Sequence, residues 1–168
     1  MIIILTQCFP PKIGGIENLI ENLAIELSKT HEVLVLADQH NKKNDSYYDL
    51  KYEKNIRIQR ISGIKFFRKR KKLSALKKLL SSNKISHVIA DSWKSLELTI
   101  GTLNSTSVPS ICLAHGNELI TNNSAKKFRI INTLNKVTRI VTNSNFTSSL
   151  VKDIGTTNQN ITCIHPAG

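Results

Sequence analysis

The chain has 168 residues and 18.8 kDa, enough for one compact core with little room for a second domain. Its 40% hydrophobic and 21% charged content, with only 7 Gly and 4 Pro, excludes disordered, collagenous and low-complexity classes. The net charge of +12 is local: the stretch from Lys54 to Ala90 holds a dozen basic residues and no acid, and the remainder is balanced.

Taken in order, the chain alternates strands and helices. Ile2 to Thr6 is a short apolar run, as in a strand covered on both faces. The turn QCFPPKIGG follows. From Ile16 the apolar positions Leu19, Ile20, Leu23, Ala24 and Leu27 recur at three and four residues and predict an amphipathic helix. Glu32 to Ala37 is a second strand, and the polar stretch Asp38 to Lys54 is expected to be a long loop or a partly ordered excursion. Ile56, Ile58 and Ile61 mark a third strand. A basic helix is expected from about Arg68 to Ser81, striped by Leu73, Leu76, Leu79 and Leu80.

In the second half, His87 to Ala90 reads as a strand and Ser92 to Leu103 as a helix. Ser110 to Ala114 is a strand, and a helix runs near Ala125 to Val137. Arg139 to Thr142 and Ile161 to Ile164 are further strands, with a short helix at Asn145 to Lys152 between them. This alternation predicts a doubly wound α/β fold, a mostly parallel sheet with helices on both faces. The closing PAG reads as a linker. The opening MIIILTQ has no basic leader and turns polar after five residues, unlike a signal peptide, and no run is long enough to span a membrane. Cys8, Cys112 and Cys163 are widely spaced and odd in number, which fits a reducing, cytoplasmic compartment.

Three places carry possible chemistry. Gly14 and Gly15 open the first helix at the crevice where open α/β sheets bind ligands, and paired glycines there let backbone N–H groups approach an anion. A purely turn-forming role fits them equally well, since the loop is neither G-x-G-x-x-G nor a Walker A loop. Asp38, ending the second strand, is a weak ribose candidate. His115, Gly116 and Glu118 follow the strand SICLA at the same edge, where a histidine can donate to a hydroxyl or phosphate. Ser144 lies in the turn TNSNF, where helix capping is the simpler role. The other histidines lack metal-ligand spacing, and no metal site is expected.

The segments FPPKIGGIENLIENLAIELSKTHEVLVLA, SICLAHGNEL, RIVTNSNFTSSLV and ITCIHPAG together resemble the N-terminal domain of family 4 glycosyltransferases with the GT-B fold. Among these the chain is most similar to phosphatidylinositol mannosyltransferase-type members. The resemblance covers nearly the whole sequence. It implies a retaining transferase with no metal, moving a sugar from a nucleotide diphosphate sugar to a glycan or glycolipid acceptor. It implies that Gly14 and Gly15 contact diphosphate or acceptor, that His115 is the catalytic-site residue reaching the donor sugar, and that Gly116, Glu118 and Ser144 contact sugar or acceptor. The family's second, nucleotide-sugar-binding domain is absent from these 168 residues. It is expected in cis or on a partner chain, and the chain alone is expected to be inactive.

The same resemblance gives the basic segment Lys65, Phe66, Phe67, Arg68, Lys69, Arg70, Lys71 and Lys72 a role in docking on anionic lipid, placing the protein peripherally at the inner membrane face. The plainer alternative is a solvated, charged helix. A nucleotide-binding or polyanion-binding module without catalysis is the rival reading. Nucleic acid is not expected as a partner, because aromatics are only 5% and no known reading motif occurs.

Overall fold

Seven strands form one sheet in the order β3-β2-β1-β4-β5-β6-β7, and every neighbouring pair is parallel. They are β1 (Ile2–Thr6), β2 (Val33–Asp38), β3 (Ile56–Ile61), β4 (His87–Ala90), β5 (Ser110–Ala114), β6 (Arg139–Thr142) and β7 (Ile161–Cys163). Between them run α1 (Gly15–Ser28), α2 (Lys42–Asp49), α3 (Lys65–Ser82), α4 (Trp93–Leu96), α5 (Ile100–Ser105), α6 (Ser124–Leu134) and α7 (Asn145–Asp153). The computed structural model describes residues 1–52, 55–82 and 84–165, so the closing Pro-Ala-Gly lies outside the described residues.

Parallel strands need crossovers, and the handedness of those crossovers sorts the helices. Two apolar clusters result. On one face Ile20 and Ala24 of α1 pack with Ile4, Val33, Val35 and Ala37. On the other, Leu76 of α3, Trp93 and Leu96 of α4, Leu103 of α5, Ile130 of α6 and Val151 of α7 pack with Ile3, Leu5, Leu36 and Val88. This is why β1 and β2 are apolar at every position but their last and buried throughout. β1 pairs with both β2 and β4, so the chain reverses its progress across the sheet there, and the crevice at the strands' carboxyl ends opens at that switch point.

The doubly wound expectation is met, with three local differences. The stretch after Asp38 contains α2, a helix without an apolar stripe. Asn41 starts it by accepting from the Lys43 and Asn44 amides, both at 3.1 Å, and buried Asp45 reaches back to the amides of His40 and Asn41. The segment Ser92 to Leu103 is two helices, broken where the Thr99 hydroxyl takes the Leu96 carbonyl. The basic helix begins at Lys65 rather than Arg68, which places its aromatic pair in the first turn.

Candidate functional site

The carboxyl ends of β1, β4 and β5 are tied together by one buried residue, Asp91, through its carboxylate and its main-chain carbonyl. Asp91 Oδ2 accepts from the Thr6 hydroxyl at 2.7 Å and the Gln7 amide at 2.8 Å, and Oδ1 accepts from the Ser95 hydroxyl at 2.5 Å. Its carbonyl, in turn, accepts from His115 Nε2 at 2.9 Å. A carbonyl only accepts, so Nε2 is the donor, which leaves Nδ1 as the acceptor of the singly protonated ring. The backbone of His115 is fixed too, since its N–H donates to Glu118 Oε1 at 2.8 Å. Sequence reasoning passed over Asp91; an acid closing a buried strand, followed by serine, was the available signal.

Gly116 turns the chain at a φ of 105°, and a Cβ there would stand 3.2 Å from Thr147 Oγ1. Glu118 thus acts on the turn that presents His115. Ser144 caps α7, accepting from the Thr147 amide at 3.1 Å, and lies one turn from the same edge. An apolar groove of about 290 Å³, lined by Leu23, Ile111, Leu113 and Val141 among others, runs along the α1 side of the sheet up to His115.

Phe9 and Arg60 set the course of the β1–α1 loop. Phe9 is fully buried, and the Arg60 guanidinium lies 5.2 Å from its ring, donates to the Pro10 carbonyl and pairs with Asp49 at 2.6 Å. The two glycines then divide their work. A Cβ on Gly14 would come 2.2 Å from Glu17 Oε2, so Gly14 makes room for a carboxylate folded over the loop. Gly15 has nothing within 4 Å of such a position and faces solvent. Glu17 is buried in the first turn of α1, where the helix dipole favours an acid, and Lys12 balances it at 3.2 Å. Burial, with the nearby Asp91 and Glu17 carboxylates, pushes the Cys8 thiol up to about 11, and burial also raises Cys112. Both stay protonated at neutral pH and are poor nucleophiles.

On the opposite flank α3 starts at the same edge, and its cations do not all face outward. Lys72 is buried: its ammonium pairs with Asp38 Oδ1 at 2.5 Å and donates to the Thr6 carbonyl, so it is removed from the expected anion-binding surface. Burial pulls its pKa down, against the pull of Asp38. Asp38 is committed to this pair and to Arg68 at 3.4 Å, which leaves no free carboxylate for a ribose. Arg68 also donates to the Gln39 carbonyl, and Lys69 pairs with Glu97 at 2.9 Å. What remains on the surface is Lys65, Arg70 and Lys71 beside exposed Ile64, Phe66 and Phe67. Arg70 stacks over the Phe66 ring at 4.5 Å. The inward cations were hidden from periodicity because Lys72 takes an apolar position in the helix stripe.

Among the described residues, no group of three or more His, Cys, Asp or Glu side chains could hold a metal ion, and no helix is long and apolar enough to cross a membrane.

A family model described as Glycosyltransferase Family 4 matches residues 13–167. Solved structures share the architecture. Anabaena Alr3699/HepE in complex with UDP aligns with a TM-score of 0.72 at 13% identity, covering 99% of this chain and 44% of that one. Arabidopsis thaliana UGT89C1 complexed with quercetin aligns at 0.66 and 16% identity, covering 98% and 50%. The lipopolysaccharide outer core galactosyltransferase WaaB in its apo form aligns at 0.65 and 14%, covering 100% and 46%. The chain therefore spans half or less of the length of these structures. No curated protein matches it in sequence.

Proposed function

Since the chain belongs to glycosyltransferase family 4, we propose that it forms the acceptor-side half of a transferase that moves a sugar from a nucleotide diphosphate sugar to an acceptor hydroxyl. The observation that carries this reading is the meeting of open Gly15, tautomer-fixed His115 and the Glu118-held turn at one carboxyl edge of the switch point. In this reading His115 Nδ1 accepts from a hydroxyl of the donor sugar, and the first-turn amides of α1 approach the diphosphate, where charge grows as the glycosidic bond breaks. Gly116 and Glu118 act by presenting His115, and Ser144 borders the sugar. Transfer proceeds with retention and needs no metal. A second α/β domain, in cis or on a partner chain, supplies most of the grip on the nucleotide, and without it the 168 residues turn over little or no substrate.

Titrating UDP-glucose into the isotopically labelled chain tests the placement. The amide signals of Gly15, His115 and Gly116 are expected to move, and His115→Ala to weaken binding about tenfold, the loss of roughly one hydrogen bond. Shifts confined to another surface overturn it.

Exposed Ile64, Phe66 and Phe67 beside Lys65, Arg70 and Lys71 favour a membrane-bound acceptor, a glycolipid or polysaccharide precursor of the kind handled by phosphatidylinositol mannosyltransferase-type enzymes. Each cation near an anionic surface contributes roughly 1 kcal/mol, so α3 holds the protein reversibly at the cytoplasmic face. Cosedimentation with vesicles should rise with anionic lipid and fall with salt; indifference to both removes the membrane from the proposal.

A further inference from the structure

The N-terminal end of α3 breaks two rules of helix electrostatics. Its first turn, Lys65 to Arg68, carries cations and no acid, although the helix dipole there is positive. Lys65 and Lys69, and Arg68 and Lys72, stand four residues apart with like charge, an arrangement that lowers helix stability. α1, starting at the same edge, follows the rule with Glu17.

The surplus converges on one place. A narrow cavity of about 10 Å³ opens between α3 and α4 at the carboxyl ends of β1 and β2, lined among others by Lys65, Lys69, Lys72, Lys94 and Gln7. That volume takes a single water-sized atom and excludes a nucleotide or a sugar ring. Among the described residues, Lys65, Arg68, Lys69, Lys72, Lys94 and Arg129 around it meet three carboxylates, Asp38, Asp91 and Glu97. Asp91 is already saturated by hydroxyl and amide donors, and Glu97 is shared between Lys69 and Arg129. Among the described residues neither Lys65 nor Lys94 has an ion-pair partner.

We propose that this niche is a phosphate subsite for the acceptor: one anionic oxygen enters the cavity beside Lys69 while Lys65 and Lys94 close on the other oxygens at its mouth. Ammonium groups suit this task as mobile point charges around a tetrahedral anion. The proposal rests on the acceptor-side reading above and names the substrate class, a phosphorylated acceptor. The niche lies on the α3 side of the sheet edge and Gly15 opens α1, which packs on the other face, so the two assignments occupy different surfaces. The phosphate belongs to a soluble phosphomonoester or to a lipid headgroup presented beside Phe66 and Phe67, and the test separates these sources.

The experiment titrates glycerol phosphate into the labelled 168-residue chain and, in a second arm, small vesicles of phosphatidic acid or of phosphatidylcholine. The expected result is movement of the signals of Lys65, Lys69, Lys94 and Gln7, with Gly15 and His115 unmoved. Lys94→Gln should weaken binding at least threefold and Lys65→Gln/Lys94→Gln more than tenfold, while Lys152→Gln, at an exposed position of α7, changes nothing. Circular dichroism checks that each variant is folded. Saturation by glycerol phosphate identifies a soluble group; response to phosphatidic acid vesicles alone identifies a headgroup. Movement spread over all surface lysines, or unchanged affinity in the double variant, overturns the niche. Because UDP-glucose is read at Gly15 and His115, loss of that response with the niche intact overturns the donor placement instead, and the reverse result overturns only the niche.

Discussion

α1 and α3 begin at the same edge of one sheet and solve opposite problems. α1 opens on glycines, keeps its own carboxylate, Glu17, inside its first turn and balances it with Lys12. α3 opens on cations and aromatics with no acid at all, and fixes itself by turning Lys72 and Arg68 inward to Asp38. An anion approaching α1 therefore meets backbone N–H groups and a near-neutral surface, in short-range, directional contact. One approaching α3 meets mobile side-chain charge, long in range and screened by salt. The contrast teaches that a basic segment is two populations: charges that anchor the helix and charges left for a ligand.

The largest expected effect comes from breaking the anchor. Asp38→Ala leaves Lys72, buried and held at the Thr6 carbonyl, without its carboxylate. Removing one partner of a buried pair costs about 3 kcal/mol or more, which urea unfolding of the chain should register as a lower midpoint at unchanged slope. Asp38→Ala/Lys72→Met should recover most of that loss, because an apolar chain fits the stripe beside Leu76. If the single variant is as stable as the parent, Lys72 is not an anchor and belongs with the outward charges after all.

The first half of that division was beyond the sequence for a definite reason. Strands such as Ile2–Thr6 and Arg139–Thr142 were legible because apolar runs report burial directly, and their alternation with helices fixed the doubly wound class. The edge carrying Gly15 and His115 was legible by the same route, since a parallel sheet brings every strand's carboxyl end to one side. Lys72 was illegible because its partner Asp38 is distant in the chain, and charge patterns show neighbours only. α2 was hidden because it is held by the Asn41 cap, by Asp45 folded back on it and by Tyr48 reaching Glu21 of α1, none of which leaves an apolar period. Asp91 was hidden likewise, its partners Thr6 and Gln7 being brought to it only by the β1–β4 pairing.

The smaller effect tests the α1 side, and it separates structure from binding by sign. Gly15 is the first residue of α1, its φ is not positive, and a Cβ there meets nothing within 4 Å. Gly15→Ala therefore restricts the unfolded chain without a clash and should raise stability by about 0.5 kcal/mol, again read as a urea midpoint. The same methyl stands where a diphosphate would approach the first-turn amides, so UDP-glucose affinity should fall several-fold while glycerol phosphate binding at α3 stays as it was. A variant that is both more stable and a weaker donor binder assigns Gly15 to the ligand rather than to the turn. If stability rises and donor affinity holds, the glycine serves only the turn, and the contrast narrows to α3 as the end of the pair that receives an anion.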